Sequence, residues 1–359
     1  MEKILVNLQE TSYPIYIGNS IIKNLNKLLE THGLPQNIFF IIDGNAEKYW
    51  GQKVKNELFF KNKKLVSYIL NPGEKSKNYL EVNKIYSSLL ENNFGRDTLI
   101  ISCGGGVTGD LAGFAASTFM RGLKLVHIPT TLLAMVDSSI GGKTGINFQK
   151  NKNIIGTFYQ PNFVLIDTLF LTTLPKSEII SGIGEIIKYG YLSDQEFFSY
   201  LDQNFNHLIS CDPEFITYAI LKSALIKASV VSNDEKEEGL RQILNLGHTF
   251  AHAFEKELNF KIKHGEAVAA GIVCAILLSR KLNFINDDLM MKLMSLTSKI
   301  RLPRSLSKIN FENVLLHMQH DKKNRNGKIK FVLLKGIGEI IIGGEASKKE
   351  VISALSKGI

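Results

Sequence analysis

Apolar positions follow one rhythm over the first 170 residues and another over the rest. The first part holds short, nearly continuous apolar runs, which read as buried strands, set between segments of helical period. EKILVNL (2–8) and YPIYIG (13–18) read as strands, and NSIIKNLNKLLETHG (19–33) as an amphipathic helix stopped by Gly33. NIFFIID (37–43) is a strand followed by a turn at Gly44-Asn45, and KLVSYILN (64–71) is a strand ending at Pro72-Gly73. SKNYLEVNKIYSSLLENN (76–93) is a helix, and DTLIISCGGG (97–106), LKLVHIPTT (123–131) and YQPNFVLID (159–167) are strands. This alternation predicts an α/β domain with a parallel sheet and ligands at the carboxyl ends of its strands. After TLFLTTLP the helical period dominates, over 177–192, 194–209, 213–233, 237–258, 264–283 and 286–300, with IKFVLL (329–334) as a short β exception. The pattern therefore places a boundary near residue 170, between an α/β domain (1–170) and an essentially all-α domain (171–359).

Composition changes this picture little. The chain has 359 residues, 44% hydrophobic and 21% charged, enough for two cores. No apolar run approaches the ~20 residues of a bilayer span, and MEKILVNL has no signal-peptide core, so no membrane role and a cytoplasmic location are expected. Three widely spaced cysteines, Cys103, Cys211 and Cys274, read as reduced thiols. The net charge of +9 comes mostly from scattered lysines, without a basic run or basic-aromatic interleaving. It suits an anionic small-molecule substrate better than nucleic acid.

Candidate chemistry concentrates in a few segments. His248 and His252 are four apart, so they share a helix face, and His264 opens the next helix with Glu266 beside it. Satisfied polar histidines on an amphipathic helix explain one such residue; three of the chain's eight in one stretch point to a metal such as zinc. Gly104, Gly106 and Gly109 form G-x-G-x-x-G between a strand and a helix, a turn able to hold a pyrophosphate on backbone N–H groups. The acidic residue expected about 20 positions later is missing, so this is not the standard dinucleotide fingerprint. The polar, Gly-rich segment 136–158, with Asp137, Lys143, Lys150, Lys152 and Asn153, reads as a loop for an anionic group. Glu185, among glycines and isoleucines, is a candidate metal carboxylate, with pairing to Lys188 as the structural alternative.

Taken together, PGEKSK, CGGGVTGDLAGFAASTFMRG, HIPTTLLAMVDSSIGGKTGIN, NKNIIGTFYQP, SGIGEIIKYG, GLRQILNLGHTFAHAFE, HGEAVAAG and DKKNRNGKIKFVLL resemble the 3-dehydroquinate synthase family, in the family's order and over most of the chain. The resemblance implies a Rossmann-like N-terminal domain, a helical C-terminal domain and a homodimer. It implies one divalent ion, zinc or cobalt, on Glu185, His248 and His264, which moves His252 out of the ligand set. It implies NAD at Asp43, Glu74, Lys77, Gly106, Val107, Thr108, Gly109, Asp110, Thr130, Thr131, Lys143, Lys152, Phe170 and Thr173. Catalytic roles fall on Asp137, Lys143, Lys188, Arg241, Asn245 and His252, and substrate contacts on Arg121, Lys152, Asn153, Lys227 and Lys322. Arg121 would reach a phosphate across the dimer. The implied reaction converts 3-deoxy-D-arabino-heptulosonate 7-phosphate to 3-dehydroquinate and phosphate by transient oxidation, elimination, re-reduction and aldol closure. Two rivals share parts of this pattern. A 2-deoxy-scyllo-inosose synthase type of cyclase acts on a substrate without a carboxylate, which leaves Lys227 and Arg241 without purpose. A glycerol dehydrogenase type of enzyme needs no phosphate cations.

Overall fold

The computed structural model describes residues 1–58, 64–149, 151–319 and 329–359. The chain divides into two compact units, Met1–Leu174 with Lys227–Lys236, and Pro175–Ile226 with Glu237–Ile359.

The first unit is built on a seven-stranded sheet of order β1-β2-β9-β6-β5-β3-β4. Its strands are β1 (Glu2–Val6), β2 (Tyr13–Gly18), β3 (Asn37–Asp43), β4 (Lys64–Leu70), β5 (Thr98–Gly104), β6 (Lys124–Pro129) and β9 (Phe163–Asp167). Every pairing is parallel except β1 with β2. The continuous apolar runs are explained by burial on both faces: all residues of β5 and β9 are buried. α1 (Leu25–Thr31), α2 (Gly44–Ala46), α3 (Gln52–Leu58), α4 (Tyr79–Glu91) and α5 (Gly106–Thr118) accompany the sheet. Phe39, Ile41, Ile100, Val82, Ile85, Leu111 and Ala115 meet in one core cluster. β3 lies between β4 and β5, so chain order reverses direction across the β3–β5 pair. That is the switch point at which doubly wound sheets bind ligands, and Asp43 and Gly104 end the two strands there.

Two segments of this unit differ from the sequence reading. The turn at Gly44-Asn45 is the start of a helical stretch that runs through a π-helical segment, Glu47–Gly51, into α3. Asp43 caps it by accepting a hydrogen bond from Asn45 N at 2.8 Å. The Gly-rich loop is largely a hairpin, β7 (Lys143–Phe148) against β8 (Asn151–Phe158). β8 has seven exposed residues out of eight, so no alternation of apolar and polar positions marks it as a strand.

The second unit holds α6 (Lys176–Leu192), α7 (Gln195–Gln203), α8 (Phe205–Ile209), α10 (His248–Glu257), α11 (His264–Lys281), α12 (Asp287–Thr297), α13 (Phe311–Gln319) and α14 (Lys348–Gly358). α9 (Pro213–Asn233) crosses the unit boundary at Lys227. By length and composition α9 is apolar enough to span a bilayer, but half of its most apolar window is buried within the protein. The β exception is real and has a partner: β10 (Phe331–Gly336) pairs with β11 (Glu339–Gly344). The helix expected over 237–258 is broken. Leu240–Asn245 form a 3-10 turn, Gly247 adopts φ 78°, and α10 begins only at His248.

Candidate active site

Glu185 lies mid-way along α6, while His248 and His264 are the first residues of α10 and α11. α11 reaches α6 through glycine. A Cβ on Gly184 would lie 2.1 Å from Gly265 O, and one on Gly265 would lie 1.7 Å from Ser181 O. The two backbones therefore touch directly beside Glu185 and His264. Glu185 Oε1 stands 3.5 Å from His248 Nε2 and 3.3 Å from His264 Nε2. One donor atom from each of the three lies within 4.8 Å of the others, the spacing of a metal-ion site.

Glu185 is fully buried, and its second oxygen, Oε2, meets Lys188 Nζ at 2.5 Å. Both partners considered for Glu185 are therefore at hand: one oxygen is paired with lysine and the other faces the imidazoles. Burial lowers the His248 pKa to about 3, against the attraction of Glu185, so His248 is a neutral imidazole, the form that ligates metal. Burial also disfavours a charged His264. The Glu185 and Glu255 carboxylates outweigh it and raise that pKa to about 10, so a cation occupies this position until a metal displaces its proton. A carboxylate and two imidazoles are a fitting donor set for zinc or cobalt. His252 stands outside it, its ring centroid 5.5 Å from that of His248 and 6.4 Å from that of His264. Arg241 is buried in the Leu240–Asn245 turn, and Asn245 donates to Glu237 Oε1 at 2.8 Å. Glu255, a neighbour of His264, was not picked out by the sequence reading; its position seven residues after His248 on one helix face was the available signal.

In the first unit the Gly-rich turn opens α5, whose N-terminus carries no side-chain cap. Gly106 sits where a Cβ would come 2.9 Å from Ser138 Oγ. Thr108 Oγ1 and Ser138 Oγ are buried there without a hydrogen-bond partner among the described residues. Uncapped N–H groups and two unsatisfied hydroxyls fit a pyrophosphate-bearing cofactor. Gly109 and Val107 lie in the same first turns of α5, and Thr130 N donates to Gly104 O at 2.9 Å. Thr131 Oγ1 accepts from Ala134 N at 3.2 Å. Lys77, buried, bonds both Asp110 and Asn153. Asn147 donates to Glu74 at 2.7 Å and accepts from Asn153 N at 3.0 Å. Phe170 and Thr173 share the Thr168–Thr173 turn, with Trp50 edge-on to Phe170 and donating to Thr173 Oγ1 at 2.8 Å. Asp137 lies within the π-helical segment Ala134–Ser138 and accepts from Lys227 Nζ, which bonds its Oδ1 at 2.7 Å and its carbonyl at 2.6 Å. Lys143 opens β7, Lys152 lies on β8, and Arg121 has φ 67° at the end of a short 3-10 turn. Lys150 and Lys322 lie outside the described residues.

Similarity to known proteins extends over both units. The family models for the N-terminal and C-terminal regions of 3-dehydroquinate synthase match residues 67–181 and 182–324. A 3-dehydroquinate synthase of Pelagibacter ubique (strain HTCC1062) is 44% identical over 363 residues, covering 99% of this chain and 98% of that protein. A solved 2-deoxy-scyllo-inosose synthase, complexed with carbaglucose-6-phosphate, NAD+ and Co2+, superposes with a TM-score of 0.89 at 24% identity, covering 100% of both chains. A probable glycerol dehydrogenase from Sinorhizobium meliloti 1021 reaches a TM-score of only 0.63 at 14% identity, covering 96% of each chain. The fold is common to all of these, but identity over the full length singles out one group, and the chain belongs to the 3-dehydroquinate synthase family, enzymes that eliminate phosphate.

Proposed function

We propose that the chain converts 3-deoxy-D-arabino-heptulosonate 7-phosphate to 3-dehydroquinate and inorganic phosphate, with NAD and one zinc or cobalt ion as cofactors. The observation that carries this reading is the meeting of Glu185, His248 and His264 in a chain that matches the family over nearly its whole length. When bound, NAD supplies a hydride acceptor and donor, and the ion supplies a Lewis acid for neighbouring hydroxyl oxygens.

The protein's own groups have distinct tasks. Glu185, His248 and His264 hold the ion, and Lys188 keeps the second oxygen of Glu185 occupied. His252, beside the ligand histidines but not in their donor set, is placed to move a proton at a substrate oxygen. Arg241 presents a planar guanidinium suited to the substrate carboxylate, and Asn245 is oriented for the same ligand by Glu237. In the first unit the Gly106–Asp110 turn takes the pyrophosphate, with Asp43, Glu74, Lys77, Thr130, Thr131, Phe170 and Thr173 around the rest of NAD. Asp137, Lys143, Lys152, Asn153 and Lys227 serve the substrate's hydroxyl and phosphate oxygens. Lys227 fixes the Asp137 carboxylate, so its orientation is set before substrate arrives.

We also place the enzyme in the cytoplasm as a homodimer, with Arg121 reaching a phosphate of the partner's site. The outer edge of β8 supports the dimer, since among the described residues β8 pairs with β7 and no other strand, and it exposes Ile154, Ile155 and Phe158. The test is incubation of the protein with the heptulosonate phosphate, trace NAD and zinc. Stoichiometric phosphate and dehydroquinate are expected, with no net NADH. Absence of phosphate release from fully metallated protein would overturn the proposal, and NADH accumulation with glycerol would favour the dehydrogenase rival.

A further inference from the structure

We propose that Glu255 is a positioning residue for the metal centre, backing His264 at Nδ1 and restoring the negative charge that Lys188 neutralises on Glu185. The inference rests on the reading of Glu185, His248 and His264 as ligands.

The helix face that carries His248 and His252 carries Glu255 one turn further on. Glu255 is buried, at 6% exposure, in a place where a carboxylate is costly unless it interacts with charge. Its Oε1 lies 3.6 Å from His264 Nδ1. That is an ion-pair distance; closure by about 0.7 Å makes it an ordinary hydrogen bond. The two ligand imidazoles share one arrangement. Each turns Nε2 toward Glu185 and Nδ1 toward an acceptor, Leu246 O at 3.2 Å for His248 and Glu255 for His264. An acceptor at Nδ1 holds the proton there and leaves the Nε2 lone pair for an ion. The acceptors differ in charge: His248 is backed by a neutral carbonyl and His264 by a carboxylate, which makes His264 the more basic donor.

Charge balance gives Glu255 a second task. Lys188 at 2.5 Å cancels the charge of Glu185, so once a metal has displaced the His264 proton the ligand set together with Lys188 is formally neutral. A divalent ion held in a buried neutral site meets no net attraction beyond its ligand bonds. Glu255 makes the assembly −1 and reaches the ion through the ring of His264.

The test is zinc affinity of the full-length protein, measured by competition with a chromogenic chelator, for wild type, Glu255→Ala and Glu255→Gln. Cobalt-substituted spectra and melting of the metal-free proteins are recorded alongside. A 10–100-fold weaker affinity is expected for Glu255→Ala. A smaller loss is expected for Glu255→Gln, which keeps an acceptor but not the charge. The cobalt ligand-field bands should shift, while metal-free melting temperatures stay close to wild type. Affinity within two-fold of wild type in both variants would overturn the proposal, as would loss fully accounted for by a drop in metal-free stability. Should Glu255→Ala fail to fold, Glu255→Gln decides alone. Glu185→Gln is run in parallel: if it keeps stoichiometric zinc, the ligand reading itself fails. If it loses zinc while the Glu255 variants bind normally, only the role of Glu255 fails.

Discussion

Gly265→Ala tests whether backbone contact between α6 and α11 sets the metal geometry. The new Cβ would stand 1.7 Å from the carbonyl oxygen of Ser181, where ordinary contact starts at 3.4 Å. The obstacle is helix backbone, which cannot rotate away, so the helices must part locally by about 1.7 Å, the difference of those distances. The bond from Gly265 N to Ser181 Oγ, 3.1 Å, is lost as well. His264 is the adjacent residue and moves with this segment, whereas metal–ligand distances tolerate only about 0.2 Å. Zinc affinity should fall on the order of 100-fold, about 2.7 kcal/mol. Folding suffers less: overpacking costs about 1–3 kcal/mol, and replacing a helical glycine by alanine returns up to about 1 kcal/mol. The metal-free variant should therefore stay folded. Gly184→Ala meets Gly265 O at 2.1 Å, a deficit of about 1.3 Å on the same reference, so its effect should be smaller and in the same direction. Calorimetric zinc titration of chelator-treated proteins, with thermal melts as control, measures both. Wild-type affinity in Gly265→Ala, or a larger loss at Gly184 than at Gly265, would refute the reasoning.

Other expectations follow from the same geometry. Glu185→Gln or His264→Ala should remove stoichiometric metal by elemental analysis, and full retention in either breaks the ligand assignment. His252→Ala should lower turnover more than metal content, and a parallel loss of both would put His252 back among the ligands. His127 is buried against Ser102 Oγ at 2.6 Å, and burial lowers its pKa to about 4 from the usual 6.5. The unfolded chain then binds a proton that the folded chain refuses. Stability is complete above pH 6.5 and declines toward pH 4, by roughly 3 kcal/mol in total. His127→Gln should flatten that part of a denaturant-midpoint profile against pH, and an unchanged slope would count against it. Trp50, the single tryptophan, touches Phe170 and Thr173, so NAD titration should change its fluorescence saturably; constant emission argues against those two as cofactor contacts.

Much of the fold was legible because burial writes itself into parallel strands. NIFFIID, LIISCG and FVLID are continuous apolar runs since both faces of β3, β5 and β9 are covered. The hairpin β7–β8 was hidden for the opposite reason: β8 faces out almost everywhere and carries no periodic signal. The helical run at 44–58 lacked a start signal beyond Asp43, which caps it through Asn45 N. The break before α10 depended on one left-handed glycine, Gly247, inside an otherwise helical pattern.

The site divides along the same line. Sequence by itself nominated the histidines, the Gly104–Gly109 turn and the cation-rich segment, because these chemistries demand residue types at short spacings. It pointed from spacing to His248 with His252, since helical periodicity records only which residues share one helix. Tertiary structure decided that Glu185 and His264, 79 positions apart in the sequence, stand 3.3 Å apart. It also decided that Lys188 and the imidazoles take different oxygens of one carboxylate, and that Glu255 lies behind His264. The approach of Glu185 to His264 depends on how closely α6 and α11 pack, and that distance is set by backbone contact at Gly184 and Gly265, not by any period along the chain.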